Sequence, residues 1–170
     1  MKSLFSVDNP KSSKSTKYGF LNGIHYLAPA TLAGIGNVCG HESEGCKSLC
    51  LGQHSGAAVM YSRVLQSRVN KTIAFMRDRL AYMDAICKGI EAVERQAKRE
   101  DMRVAIRFNG SSDIAIEAIK CRDGQTILRK YRHLQFMDYT KSHKRMLRYL
   151  SNELPTNYHL TFSRTESNEH

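Results

Sequence analysis

Apolar side chains recur at every third or fourth position through the middle of the chain, between residues 57 and 99. This spacing places them on one side of a helix, and it therefore predicts a long amphipathic helical segment. The stripe consists of Leu65, Val69, Ile73, Met76, Leu80, Met83, Cys87, Ile90, Val93 and Ala97. Asp78 is a favourable N-cap residue, so the pattern is compatible with one bent helix or with two successive helices. Cys87 lies on the stripe and is predicted to be a buried structural thiol.

Short apolar segments precede and follow this helical region, and each has the length of a β-strand. They occupy residues 24–28, 102–108, 134–137 and 158–162. Helical candidates separate the later strands, at residues 114–119, 126–131 and 143–150. Strands that alternate with helices predict βα units and a parallel sheet, which is the α/β fold class.

Polar residues cluster directly after three of the predicted strands. The carboxyl ends of parallel strands lie at one edge of a sheet, which is where α/β proteins build their sites. The clusters comprise Asn109, Gly110, Ser111, Ser112 and Asp113 after the second strand, Asp138 and Lys141 after the third, and Ser163, Arg164 and Glu166 after the fourth. We therefore expect these side chains to meet at a single site. Lys141 and Arg164 are suited to binding a carboxylate or a phosphate there.

Three cysteines, Cys39, Cys46 and Cys50, follow the first predicted strand, with His41 between the first two. Thiolates are the natural ligands of iron–sulfur clusters and of zinc. Three interpretations are open. The thiolates hold three irons of a [4Fe–4S] cluster, the cysteines and His41 form a closed Cys₃His zinc site, or the thiols are unligated. The glycines of the loop allow the chain to fold back on itself.

Composition narrows the class of protein and its partners. A chain of 170 residues has the size of one domain. The Lys/Ser-rich residues 1–17 predict a flexible basic arm ahead of a single domain at residues 18–170. Lys and Arg outnumber Asp and Glu by 26 to 16, a formal net charge of +10, so we expect nucleic acid or a nucleotide as partner.

The same composition bears on where the protein resides. No apolar run is long enough to cross a membrane, and the first residues lack a hydrophobic signal core. Five cysteines are an odd number, which without a signal peptide predicts reduced thiols in a cytoplasm. The oligomeric state is open, with a homodimer that closes the sheet as one alternative.

The order of these segments resembles the bacteriophage gene product 88 family, from about residue 18 to the C-terminus. The motifs that carry the resemblance are residues 37–50, 107–114, 138–141 and 158–164. The chain is similar, more distantly, to phage three-cysteine proteins of the radical-SAM type and to the spore photoproduct lyase branch. The resemblance implies parallel βα units in a partial, half TIM-like barrel, with a three-cysteine cluster loop after the first strand. It also implies a [4Fe–4S] cluster on that loop and S-adenosylmethionine beside residues 109–113.

The chain departs from the radical-SAM pattern at two points. Six residues separate Cys39 from Cys46 and three separate Cys46 from Cys50, whereas the radical-SAM cysteines are spaced by three and two. The chain also stops directly after its fourth predicted strand, where that barrel continues. We therefore expect a shortened or repurposed relative.

Three function classes follow from these features, and whether the protein is an enzyme is left open. The leading class is a phage-encoded iron–sulfur protein resembling a radical-SAM enzyme, acting on nucleic acid or a nucleotide in the host cytoplasm. In it, Asp138 and Lys141 are catalytic, and residues 109–113, Ser163 and Arg164 bind the cofactor. The second class is a non-catalytic protein, stabilised by an iron–sulfur or zinc centre, that binds nucleic acid or a host protein. The third is a metal-dependent nuclease that uses Asp113, Asp138 and Glu166.

Overall fold

A five-stranded sheet lies at the centre of the computed structural model, which describes residues 4–7, 13–50, 52–54 and 57–166. The strands lie side by side in chain order as β1 (Phe5–Ser6), β2 (Phe20–His25), β3 (Arg103–Arg107), β4 (Gln135–Thr140) and β5 (Tyr158–Phe162). Strands β2 to β5 are parallel, whereas β1 pairs with β2 in the antiparallel direction. The predicted α/β class with a mostly parallel sheet is thereby confirmed. The half TIM-like barrel stays a prediction, because strand order and direction do not determine the curvature of a sheet.

The long helical region of the sequence consists of two main helices that meet at Asp78. The described helices are α1 (Ser13–Thr16), α2 (Glu44–Ser48), α3 (Ala57–Met60), α4 (Ser62–Arg77), α5 (Arg79–Arg99), α6 (Ile127–Lys130) and α7 (His143–Leu150), with a 3₁₀ turn at Ile116–Ala118. The Asp78 carboxylate accepts a hydrogen bond from the Ala81 N–H at 2.9 Å and so caps α5. None of the helices in the described ranges is both long and apolar enough to cross a membrane.

The two faces of the sheet differ in burial, as the alternation along β4 illustrates. Phe136, Asp138 and Thr140 are buried, whereas Gln135 and Tyr139 are exposed. Helix α5 packs against β1, β2 and β3, and α7 packs against β5. The core that α5 and the strands share includes Met83, Ile86, Cys87, Ile90, Ile106 and Leu160. The predicted apolar stripe is therefore buried along α5, from Met83 to Ala97, except that Leu80 at its start is exposed. Along α4 the stripe residues are only half-buried, and the buried positions are Arg68, Thr72 and Phe75.

The N-terminal segment differs from the flexible arm that the sequence predicts. Leu4 and Phe5 are buried in the core, and Phe5 pairs with His25 to add an antiparallel strand at the edge of β2. The ring of Phe5 lies 6.1 Å from the ring of Phe108 in an edge-on arrangement. Burial of these apolar side chains outweighs the polar composition around them. Residues 1–3 and 8–12 of the predicted arm lie outside the described residues.

Candidate cysteine-lined site

A cavity of about 740 Å³ opens at the carboxyl edge of the parallel strands. Its walls come from the cysteine loop after β2 and from the segments that follow β3, β4 and β5. Predicted site residues in these walls are Cys39, His41, Cys46, Cys50, Asn109, Gly110, Ser111, Ser112, Asp113, Lys141, Ser163, Arg164 and Glu166. The structure thus brings together the segments that a parallel sheet was expected to bring together.

Cys39 is held in the loop by hydrogen bonds to its backbone and to its sulfur. The Ala30 N–H donates to Cys39 Sγ at 3.2 Å, and the thiol lies 3.8 Å from the carbonyl oxygen of Ser111. Asn37 Oδ1 accepts from the Cys39 N–H at 2.7 Å. Burial raises the pKa of Cys39 to about 11, and the nearby Glu42 carboxylate adds to the shift. In this arrangement the thiol is protonated at neutral pH.

Helix α2 carries Cys46 and is fixed by a residue from the far end of the chain. Ser43 Oγ accepts from the Cys46 N–H at 3.1 Å, which is an N-cap interaction. Glu166 accepts from the Gly45 N–H at 2.7 Å and from the Ser43 hydroxyl at 2.9 Å. The Gly45 hydrogen bond holds the pKa of Glu166 below its usual value. The segment after β5 therefore ties down the loop between Cys39 and Cys46.

The loop has the donor types of a metal site without the ligating geometry. All five cysteines of the chain are free thiols, and Cys39, Cys46 and Cys50 are half-buried around one cavity. Within the described part of the chain, no group of three or more His, Cys, Asp or Glu side chains is arranged to hold a metal ion. Three thiols fit an iron–sulfur cluster or zinc by type. Binding requires the loop to bring the sulfurs together and Cys39 to lose its proton.

Asn109 and Asp138 brace the polar loop that follows β3. Asp138 is 1% exposed and accepts from the Asn109 backbone N–H at 3.1 Å and from its amide at 2.6 Å. The Asn109 side chain also bonds the Ser112 hydroxyl and the backbone of Ile114. Burial raises the pKa of Asp138 to about 7, against the opposing effect of the Arg145 charge. Asp138 lies beneath the cavity wall and not in it, so its contacts give it a structural role and its catalytic role stays a prediction.

Asp113 belongs to a buried ion-pair network. Arg145 donates to Asp113 Oδ1 at 2.5 Å and to the two oxygens of Glu117 at 2.9 Å each. The same guanidinium donates to the Tyr158 hydroxyl at 2.9 Å, and Asp113 Oδ2 accepts from the Lys141 N–H at 2.8 Å. Burial alone would lower the pKa of Arg145, but the Glu117 and Asp113 carboxylates raise it overall. Both oxygens of Asp113 are engaged, and its predicted contact with a cofactor ammonium stays a prediction.

Gly110 is required by the close approach of an aromatic ring. A Cβ atom at this residue would overlap the Tyr26 ring and the His25 carbonyl oxygen. Above the same ring lies the guanidinium of Arg68, with its carbon 4.6 Å from the ring centroid. Arg68 is 8% exposed, and its Nε has no hydrogen-bond partner among the described residues. Its charge interacts with Cys50, so buried positive charge lies near the cysteine loop.

Two cavity residues, Arg107 and Tyr139, are absent from the site that the sequence predicts. The Arg107 guanidinium carbon lies 4.5 Å from the Tyr139 ring centroid, and a terminal nitrogen donates to the Asn109 carbonyl at 3.1 Å. Its Nε is buried and has no partner within the described ranges. Alternation along β3 was the available signal, because Arg103 and Arg107 share one face of the strand whereas Val104 and Ile106 lie on the other.

The fold and the cavity define a class of protein: mixed α/β, with a mostly parallel sheet whose carboxyl edge carries a site lined by three cysteines. The family model described as "Gene product 88" matches residues 3–170. The chain therefore belongs to the Gene product 88 family, and this part of the predicted resemblance is confirmed. No curated protein and no solved structure gives a significant match. The more distant radical-SAM relationship has no support from these comparisons.

Proposed function

We propose that this protein holds an iron–sulfur cluster through Cys39, Cys46 and Cys50 and uses it in radical-SAM-type chemistry on a nucleotide or nucleic acid. One observation carries the proposal: the three cysteines share a cavity with the polar segments that follow β3, β4 and β5. A volume of about 740 Å³ is within the range of small-molecule sites, so a nucleoside-sized cofactor has space beside the thiols. An iron–sulfur cluster, when bound, supplies one-electron transfer.

In this proposal the side chains of the cavity bind the cofactor and orient it beside the cysteines. Lys141 and Arg164 bring positive charge to the cavity wall, where they suit a carboxylate or a phosphate. Ser111 donates its hydroxyl to the Leu27 carbonyl at 2.6 Å and thereby shapes the wall beside the loop. S-adenosylmethionine is the cofactor that we propose there, with contacts from residues 109–113, Ser163 and Arg164.

Buried cations near the cysteine loop agree with a negatively charged occupant. The Arg68 guanidinium is desolvated and has a buried Nε, and Arg107 lines the cavity with a buried Nε; neither nitrogen has a partner among the described residues. Thiolates and thiolate-bound clusters carry negative charge, which a nearby guanidinium stabilises. The presence of these two arginines therefore favours the hypothesis of a negatively charged metal centre over that of three neutral thiols.

Anaerobic purification with metal analysis tests the centre directly. We expect a broad absorption at about 400 nm and about four irons per chain, as for a thiolate-bound cluster. Cys46→Ala should lose the iron, because a ligand is removed. Cys121→Ala is the matched control, since this thiol is buried in the core and away from the cavity, and it should keep the iron. A metal-free wild-type protein, or a full iron load in Cys46→Ala, contradicts the proposal.

The cofactor requires a separate assay. We expect the reduced, iron-loaded protein to cleave S-adenosylmethionine, and we expect Lys141→Ala to slow this turnover while keeping its iron, because Lys141 lines the cavity without being a metal ligand. If the iron-loaded protein does not cleave S-adenosylmethionine, the radical-SAM-type activity is wrong. The protein is then an iron–sulfur protein that does not use this cofactor.

A Cys₃His zinc centre in a nucleic-acid-binding protein is the second candidate, and the position of His41 favours it. His41 lines the same cavity as the three cysteines, so it is available as the fourth ligand of a tetrahedral structural site. One zinc per chain that is lost from both His41→Ala and Cys46→Ala would support this candidate. The formal net charge of +10 agrees with a polyanionic partner in either case.

A further inference from the structure

A second cavity, of about 800 Å³, lies beside the cysteine-lined one. We call it the lateral groove; its walls come from residues 37–41 of the cysteine loop, the end of α4, the start of α5, helix α7 and residues 113–120. His41 and Asp113 line both cavities, so the two border each other at these residues. A ligand that fills the lateral groove therefore lies next to the cysteine-lined site.

The floor of the lateral groove is apolar and partly open to solvent. Its apolar lining includes Phe75, Met76, Leu80, Ile114 and Ile119. Leu80 is 47% exposed, so this floor retains apolar area that the described residues leave uncovered. A flat, weakly polar group such as a nucleobase covers such a surface favourably.

The rim of the lateral groove is cationic. Arg79, Lys120 and Lys144 line it and are exposed. No ion pair joins any of these three to a residue in the described part of the chain. The Arg79 guanidinium carbon lies 5.1 Å from the Phe75 ring centroid, which places positive charge directly at the apolar floor.

The remaining charged residues of the groove are engaged in ion pairs. Arg145 is bound by Asp113 and Glu117, and Arg148 pairs with Glu153 at 3.1 Å. Asp113 is the single acidic residue among the described lining residues, and it faces three rim cations that have no ion-pair partner there. The net charge available to a ligand is therefore positive.

We infer that the lateral groove binds single-stranded nucleic acid, with phosphates on Arg79, Lys120 and Lys144 and bases on the apolar floor. The inference rests on the proposed function, since it identifies the strand that brings a nucleotide to the cysteine-lined cavity. A duplex keeps its bases stacked inside and offers mainly phosphates, so it makes no use of an apolar floor. Unpaired cations around an open apolar surface are the combination that a single strand satisfies.

Fluorescence anisotropy with a labelled oligothymidylate of about 12 nucleotides tests the inference on the full-length protein. We expect Lys120→Gln/Lys144→Gln to weaken binding about tenfold at low salt and to reduce the slope of log K against log salt by about 1.4, as for two lost phosphate contacts. The matched control is Lys88→Gln/Arg95→Gln, which removes the same charge from exposed positions of α5 outside the groove. Equal weakening in both variants, or no binding by the wild type, overturns the inference.

The variant Leu80→Ser tests the contact of the bases with the apolar floor separately from the contact of the phosphates with the cationic rim. Because Leu80 is exposed on the groove floor, the variant should fold, and circular dichroism checks that it does. We expect severalfold weaker binding with an unchanged salt slope. A duplex of the same length that binds as tightly as the single strand, or a poly-glutamate peptide that competes equally, overturns the single-strand assignment.

Metal content measured on the same preparations separates this inference from the proposed function. Cys46→Ala should lose its metal and keep its oligonucleotide affinity, because Cys46 is not in the groove lining. An iron-loaded protein that fails to bind the oligonucleotide overturns the groove alone. A metal-free protein that binds it overturns the metal centre alone.

Discussion

Two regions border the cysteine-lined cavity, and they are built in opposite ways. The bracing network, which lies beneath the strand ends, consists of Asp113, Glu117, Asp138, Arg145 and Tyr158. Glu117, Asp138 and Arg145 are 6%, 1% and 6% exposed, and the charged groups are paired through hydrogen bonds. The cysteine loop has a five-residue helix with no buried residue. It is held mainly by polar contacts at its surface.

The contrast indicates which part of the site is complete without a ligand. Every carboxylate of the bracing network is hydrogen-bonded, to Arg145 or to backbone and amide N–H groups, so the network supplies a rigid wall. The Cys39 sulfur contacts the Ala30 N–H at 3.2 Å and the Ser111 carbonyl oxygen at 3.8 Å, which are weaker interactions than the ion pairs of the network. Under the proposed function, a metal that draws the three thiols together would complete the loop, since metal binding couples to local folding.

Breaking the bracing network should produce the largest loss in the free energy of unfolding. Arg145→Met leaves the Asp113 and Glu117 carboxylates buried without their cation, so we expect a loss of about 3–5 kcal/mol in the free energy of unfolding. Urea denaturation followed by circular dichroism measures it. Arg148→Met is the control, because Arg148 pairs with Glu153 at the surface, where an ion pair contributes about 1 kcal/mol or less. Similar losses in the two variants would contradict the distinction between network and surface.

Acid should lower the free energy of unfolding through a buried histidine at the end of β2. His25 Nε2 lies 2.8 Å from the Tyr82 hydroxyl and Nδ1 lies 3.1 Å from the Phe108 carbonyl. Burial lowers the pKa of His25 from 6.5 to about 4. Between these values the unfolded chain binds more protons than the folded one, so stability is lost as the pH falls. We expect a contribution of roughly 3 kcal/mol lost between pH 7 and pH 4.

The pH experiment compares unfolding of the wild type with that of His25→Gln, which does not titrate. Asp138 acts with the opposite sign, because its pKa is raised to about 7 and acid therefore favours its folded form. The difference between the two proteins isolates His25 from this opposing group. Parallel stability profiles from pH 7 to pH 4 would mean that His25 is not held neutral in the folded protein.

Loosening the cysteine loop should have the smallest effect on global stability and a clear local one. Glu166→Ala removes the acceptor of the Gly45 N–H and the Ser43 hydroxyl. We expect faster alkylation of Cys46 by iodoacetamide, because helix α2 loses its anchor, with little change in the thermal midpoint. Mass spectrometry of the labelled peptides measures the rate.

Gly45→Ala tests the same anchor from the other side, since a Cβ there would lie 2.9 Å from Glu166 Oε1. Glu153→Ala is the control, because it removes an exposed carboxylate far from the loop in sequence and outside the cavity lining. The buried thiols Cys87 and Cys121 serve as slow internal references. Alkylation of Cys46 at the wild-type rate in both loop variants would show that Glu166 does not hold the loop.

Much of the fold was predictable because its signals are local. The strand expected at residues 158–162 coincides with β5, and Asp78 caps α5 as its residue type indicates. The first strand was placed too late, because β2 (Phe20–His25) begins with Phe20 and includes Asn22 and Gly23, which interrupt its apolar pattern. Strand β1 was missed altogether, since two residues carry too little periodicity to predict a strand.

The candidate site also has a part that was predictable from the sequence and a part that was not. The sequence determined that the cysteine loop and the polar strand ends lie at one edge, because parallel strands place their carboxyl ends together. Which of these groups face the cavity and which brace it depends on contacts that form on folding. Arg145 meets Asp113 across 32 residues and Glu166 meets Gly45 across 121. Burial and hydrogen-bond partners set the role of a polar side chain, and both depend on contacts between residues distant in the sequence.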